Sequence, residues 1–279
     1  MLTKSVLDIN ETPIMEIANF GRSYSRDTGK KIYAAWFGEG NQSTNEIIFN
    51  ETIKSLRDGK TFYTYQNGIP KIREALSNYM NDVFSLNISS ENNSLVTGGM
   101  LGIKIICDML IEKDDEVVIV GPVWPNIRSS VILKQGKVKE ISLRLKNKWQ
   151  LDLNELFDSI SDKTKMVFIN SPSNPTGWML TESEQEEITA YIRKKNCWLI
   201  ADEVYHQIVY DREVSPSFLQ HAKADDKLIV INSSSKSFNM TGWRIGWLSH
   251  PKFLGEHIAK LVQISTTGVP EFLQEGFLS

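Results

Sequence analysis

The chain has 279 residues, 41% apolar and 23% charged, with a formal net charge of -3. That is the composition of a soluble globular protein, long enough for two ordinary domains or one large α/β domain with an appendage. The slight acidity gives no electrostatic grip on nucleic acid or an anionic membrane, and no apolar run is long enough to span a bilayer.

The opening segment, MLTKSVLDINETPIMEIANF, lacks the apolar core of a secretory signal. Further on, SLVT before Gly98 ends a short apolar run, and MLGIKIICDMLIEK (100–113) carries apolar residues at helical spacing. EVVIV (116–120) and KMVFIN (165–170) are nearly continuous in apolar residues, the pattern of strands covered on both faces. TESEQEEITAYIRKKN (181–196) returns to helical spacing and opens on a capping box, Thr181 with Glu184 three residues later. CWLIADEVY (197–205) and KLIVINSSS (227–235) again read as buried strands. Alternation of this kind predicts an α/β fold, a three-layer sandwich around a mainly parallel sheet. The only two cysteines, Cys107 and Cys197, lie far apart in apolar settings, as buried free thiols do; a cytoplasmic location is expected.

In parallel sheets ligands bind beyond the carboxyl ends of the strands, and that is where the chemically distinctive residues fall. Gly98, Gly99 and Met100 open a helix, where converging N–H groups favour an anion. Trp124, in GPVWPN, offers a flat face; Asn174, in SPSNPTG, offers an amide. Asp202 ends a buried run and needs a partner, with the Tyr205 phenol three residues on. Lys236 follows KLIVINSS, flanked by Ser233 and by Arg244, which can hold a phosphate bidentately. Alone, a lysine in a serine-rich run reads as a solvated turn. Together, these groups suit one ligand with a phosphate, an aromatic ring, a basic ring nitrogen, a phenolic oxygen and an aldehyde. Pyridoxal 5′-phosphate has each, and it needs a lysine for a Schiff base and an acid beside its ring nitrogen. No metal site is expected. His206, just after DEVY, reads as a hydrogen-bonded strand residue without a catalytic role.

From WFGEGN (36–41) to STTGVPEFLQEG (265–276) the sequence resembles the class I/II aminotransferases, the fold-type-I enzymes dependent on pyridoxal phosphate. YTYQNGIPKIREAL (63–76), NSPSNPTG (170–177), ADEVY (201–205) and SSSKSFNMTGWRIGW (233–247) carry the resemblance, in order and at fitting spacing. It implies that Lys236 forms the Schiff base and shuttles the substrate proton. Asp202 pairs with the ring nitrogen, Asn174 and Tyr205 hold the phenolic oxygen, and Trp124 stacks on the ring. Gly99, Met100, Ser233 and Arg244 bind the phosphate. Tyr63 reaches the phosphate of a neighbouring subunit, which implies a homodimer, and Gly38 and Asn174 meet the substrate. The substrates implied are an amino acid and a 2-oxo acid.

The resemblance also implies a division into residues 1–45, an N-terminal arm with part of a small domain, and residues 46–279, the cofactor-binding large domain. Family chains continue further, into most of a small domain and the arginine that clamps the substrate α-carboxylate; here no arginine follows Arg244. The expectation is a C-terminally truncated aminotransferase with impaired substrate binding and a bared apolar surface around the helix after Pro251. A carbon–sulfur β-lyase, or a protein that binds the cofactor without turnover, are the alternatives.

Overall fold

The computed structural model describes residues 2–9 and 13–279. In chain order the strands are β1 (Asn93–Val96), β2 (Glu116–Gly121), β3 (Lys137–Ser142), β4 (Arg144–Leu145), β5 (Trp149–Gln150), β6 (Thr164–Asn170), β7 (Trp198–Asp202), β8 (Leu228–Ser233) and β9 (Gly246–Ser249). Seven of them form one sheet in the order β1-β9-β8-β7-β6-β2-β3, with β4 and β5 a separate hairpin. From β3 across to β8 every pairing is parallel; β9 alone runs antiparallel to both its neighbours.

The continuous apolar runs follow from a sheet covered on both sides. Val117, Ile119, Met166, Phe168, Ile200 and Ile231 point to one face, where Ile103, Ile106, Ile127, Val131, Ile258 and Val262 from three helices meet them. Val118, Val120, Val167, Ile169, Leu199 and Val230 alternate to the other, against Leu156, Ile188 and Ile192. The helix–sheet–helix layering is therefore the expected one. A third cluster at the β1 and β9 edge joins Ile72, Leu76, Met80 and Phe84 of the Pro70–Phe84 helix to Leu95 and Trp247.

Several element bounds differ from expectation. The 197–205 run stops being strand at Asp202: the chain turns there, with His206 N donating to Glu203 O at 3.0 Å. His206 and Tyr205 thus lie on a turn, not on a strand. The 227–235 run ends at Ser233, whose hydroxyl accepts from Ser235 N and caps a helical turn, Ser234–Ser237. The helix expected from 100 begins at Gly98 and ends at Leu110. The helix at 182–195 keeps its Thr181 capping box. The helix after Pro251 (Gly255–Thr266) buries Ile258 and Val262 while leaving Ile264 exposed. Cys107 and Cys197 are free and buried, as expected. Among the described residues no helix is long and apolar enough to cross a membrane.

Near the chain end, Glu271–Leu278 packs on Glu46–Arg57 through a close crossing at Gly276. A Cβ there would strike the Thr52 hydroxyl and come within 2.9 Å of Ile48 O, while Lys60 pairs with Glu275 beside it. Overpacking of a tight contact costs about 1–3 kcal/mol. Gly276→Ala is expected to lower the thermal midpoint accordingly; an unchanged midpoint would mean that the two helices separate freely.

Candidate active site

Parallel register places Asn170 beside Asp202 and Asp202 beside Ile231, so the loops leaving β6, β7 and β8 open at one edge. Asp202 is 7% exposed. Its Oδ1 accepts from Val204 N at 3.3 Å, and no lysine or arginine among the described residues forms an ion pair with it. Burial raises its carboxyl to about 7, against lowering by that backbone bond and by the more distant Lys236 charge.

One residue past Val204 the turn delivers Tyr205, whose hydroxyl accepts from Asn174 Nδ2 at 3.1 Å. Asn174 is itself fixed: its N donates to Asn170 Oδ1 at 2.7 Å, and its O accepts from Trp124 N at 2.9 Å. That last bond ties the Trp124 loop to the same rim. Burial raises the Tyr205 phenol while the Asn174 bond lowers it. Lys236, on the short helix after β8, is half-buried; Nζ donates to Gly38 O at 2.6 Å and lies 5.7 Å from the Tyr205 ring centre. Burial is the main cause of its lowered amine, opposed by Glu39. An amine so shifted is more often unprotonated, and more nucleophilic, than a solvated lysine.

The anion-binding side is built by glycines. Gly98 adopts φ +78°, and a Cβ there would lie 2.9 Å from Arg244 Cζ, so the guanidinium rests where a side chain would otherwise be. Arg244 takes a left-handed backbone at φ 58° and anchors Nη1 on Thr241 O at 2.7 Å. Gly246 in β9 lets that strand approach the helix start: its Cβ would fall 2.8 Å from Gly99 N. An arginine thus stands at the N-terminus of the Gly98–Leu110 helix, where free N–H groups and the helix dipole favour a phosphate. Gly99 lies beside Ser233, and Met100 beside Asn126, whose Nδ2 contacts Sδ at 3.6 Å. The Ser233 hydroxyl is buried and already donates to Ile245 O at 3.1 Å. Tyr63 is 91% exposed, and no hydrogen bond among the described residues ties it to this rim.

Behind the rim lies a buried polar layer. His206 bonds Tyr79 Oη through Nε2 at 2.6 Å and Glu203 O through Nδ1 at 3.1 Å, with its imidazole lowered by burial to about 4. It is structural, as the sequence suggests. Glu203 is fully buried, accepts from Phe218 N at 2.9 Å, and is raised by burial to about 8. A carboxyl raised in the folded state holds its proton where the unfolded chain has lost it. Its contribution is full below the unfolded value of 4.5 and is lost as pH rises toward about 8. Cofactor-free protein should therefore lose stability between pH 6.5 and 8, by up to about 2 kcal/mol from this group. His206 and His250, both lowered to about 4, act in the opposite sense, but only below their ordinary value of 6.5. Denaturant melts of the parent and Glu203→Gln should show a shallower decline in the variant; equal slopes would mean that Glu203 does not titrate there.

The donor set fits pyridoxal 5′-phosphate on its own chemistry. A buried carboxylate without a cation suits a protonated ring nitrogen, and the Asn174–Tyr205 pair suits a phenolate. An arginine at a helix N-terminus suits a phosphate, and a half-buried amine suits an aldehyde. Gly246 is the residue that sequence reasoning left without a role, and Gly98 gains a second one as the seat of the Arg244 guanidinium. TGG and WRIG carry the signal, but the space they leave is visible only once the strands are paired.

The chain as a whole has recognisable relatives. The chain is 31% identical to a probable aspartate aminotransferase of Methanocaldococcus jannaschii over all of its own length and 72% of that protein's. It is 31% identical to the same organism's (5-formylfuran-3-yl)methyl phosphate transaminase, over 98% of this chain and 70% of that one. Its fold superposes on the aspartate aminotransferase of Thermus thermophilus with maleate at TM-score 0.94 and 26% identity, covering 100% of this chain and 72% of that one. With an aspartate aminotransferase of Musicola paradisiaca the share of the relative's length falls to 63%. The family described as Aminotransferase class I and II matches residues 35–276, a span that contains the strap at Gly38, every strand of the sheet and the Lys236–Arg244 segment. On that match the chain belongs to the class I and II aminotransferases, a family that works with pyridoxal 5′-phosphate.

Proposed function

We propose that this chain transfers an amino group from an L-amino acid to a 2-oxo acid, with Lys236 as the catalytic amine. The observation that carries the reading is the pairing of a buried, cation-free Asp202 with the half-buried amine of Lys236 at one sheet edge. When bound, pyridoxal 5′-phosphate supplies an electron sink that acidifies the substrate Cα–H. Lys236 Nζ takes up that proton and returns it; Gly38 O holds the amine in place between the two events. With the cofactor bound, the Asp202 carboxylate would favour a proton on its ring nitrogen. Asn174 and Tyr205 would hold its phenolic oxygen, and Trp124 would pack against its ring. Arg244, Gly99, Met100 and Ser233 would hold the phosphate, with Tyr63 of a second copy of the chain reaching it; the exposure of Tyr63 in one copy favours a homodimer. Residues 1–45 serve as an N-terminal arm with part of a small domain, and residues 46–279 as the cofactor-binding large domain. Two reduced, buried cysteines suit a cytoplasmic setting.

Residues 245–279 hold no arginine, and Arg22 and Arg26 bond Asn19 and Asp27. The 279-residue polypeptide by itself then offers the α-carboxylate no bidentate cation, a contact worth about 1.5–3 kcal/mol or more. Poor orientation adds roughly a hundredfold. Single-turnover spectra with a panel of amino acids are expected to show cofactor bound, and slow conversion to its amino form. Formation of a new amino acid from an added oxo acid supports transamination, whereas pyruvate and ammonia from a cysteine conjugate would mean a β-lyase. Rapid conversion by this chain alone would assign the carboxylate to another cation, with Arg22 and Arg26 the first to test.

A further inference from the structure

One buried amide touches both arms of the site. Asn170 is the last residue of β6, 3% exposed, and stands in register with Asp202, the last residue of β7. Its Nδ2 donates to Asp202 O at 2.9 Å, and its Oδ1 accepts from Asn174 N at 2.7 Å. The parallel ladder between β6 and β7 ends at this pair, and past it Ser171 N adds a bond to Asp202 O at 3.1 Å. The side-chain bonds therefore carry the alignment of the two strand ends into the loops. One of them seats the backbone of the residue whose carboxyl meets the ring nitrogen. The other seats Asn174, which in turn holds the Tyr205 hydroxyl at 3.1 Å and, through its carbonyl, Trp124 N at 2.9 Å.

The arrangement needs a donor and an acceptor on one short side chain, and asparagine carries both. An aspartate would turn an acceptor toward Asp202 O, and a leucine would strip Asn174 N–H and Asp202 O of a partner each. The ring nitrogen and phenolic oxygen of pyridoxal phosphate belong to one rigid ring, so the groups that meet them must keep a matching separation. A side chain bonded to both supporting residues holds that separation more tightly than two independent loops would.

We propose that Asn170 is a positioning residue, acting through Asp202 and Asn174 to keep the ring-nitrogen and phenolic-oxygen contacts at one separation. The inference rests on the cofactor contacts of the reading above, and adds to them a residue that works only through others.

The test is the pH midpoint of the visible band of pyridoxal phosphate bound at Lys236, compared in the parent, Asn170→Ala and Asn170→Ser. Donors to the phenolic oxygen draw off its negative charge and weaken its hold on the proton of the Schiff-base nitrogen beside it. A displaced Asn174 restores that hold, and a displaced Asp202 leaves the ring less electron-withdrawing; both raise the midpoint. The expected rise is on the order of one pH unit, a tenfold change in proton affinity, with cofactor affinity falling roughly tenfold. Ser171→Ala is the structural control. That buried hydroxyl accepts from Leu180 N at 3.0 Å in the same loop, and its loss should lower thermal stability while leaving the midpoint in place. An unmoved midpoint in the Asn170 variants, or an equal rise in Ser171→Ala, would overturn the inference while leaving the cofactor contacts intact. Should neither Asn170 variant fold, amide-resolved hydrogen exchange of the parent decides: slow exchange at Asn174 N, although it lies in a loop, is expected, and exchange at the rate of an open loop would overturn the inference. Absence of a visible band in the parent would sink the cofactor reading and the inference with it.

Discussion

Lys236→Ala will abolish covalent capture of the cofactor. Parent protein incubated with pyridoxal phosphate and reduced with borohydride should carry its label on the Lys236 peptide alone. The variant should carry none. The structure gives a reason why one lysine is singled out among the chain's many surface amines. Burial lowers the Lys236 amine, and Gly38 O aims Nζ from 2.6 Å. Lysines on the outer faces, such as Lys54 and Lys137, are instead raised by the carboxylates they bond. Loss of the proton carrier should reduce conversion of bound amino acid by roughly 10⁴-fold or more, since general acid–base transfer and covalent activation go together. Non-covalent binding should survive, because Arg244 and the Gly98 helix terminus are untouched; equilibrium dialysis reads it. A borohydride label on any other lysine would refute the assignment.

What the sequence made legible follows from where information sits along the chain. Asp202 could be read because it ends a continuous apolar run, and Lys236 because it follows one after a few small polar residues; a sheet covered on both faces writes itself as such runs. The Thr181 capping box is equally local. The strand ends were harder: DEVY and NSSS continue the apolar or small-residue texture past the last ladder bond, and only Glu203 turning inward to Phe218 N ends β7. β9 has four residues, and β3 (KVKEIS) buries Ile141 alone on an edge, so neither shows a clear period. The seat of Arg244 on Gly98 joins residues far apart in sequence, and no spacing rule reaches that distance.

Asp202→Asn should separate function from stability in opposite directions. The substitution keeps the shape, and the side-chain oxygen can still accept from Val204 N as Oδ1 does at 3.3 Å. It removes the charge that would keep the facing ring nitrogen protonated. Without that proton the electron sink weakens, and exchange of the substrate α-proton into deuterated solvent should fall by roughly 10³-fold or more. Affinity for the cofactor should fall with it. Stability of the cofactor-free protein should move the other way. Asp202 is raised to about 7 from its ordinary 3.8 because burial penalises the ionised form. Its stabilising effect is therefore present at low pH and lost as pH rises through about 7, leaving at pH 8 a buried carboxylate with no cation beside it. Asparagine carries no such cost, so the cofactor-free variant at pH 8 should be more stable than the parent by on the order of 1–3 kcal/mol. The gap should narrow as pH falls below about 7 and close below 3.8, where the carboxyl is protonated in the unfolded chain as well. A residue kept for packing would show the reverse, a loss of stability at every pH with activity falling only in proportion. Deuterium exchange at the parent rate, or a variant less stable than the parent at pH 8, would remove Asp202 from the catalytic role.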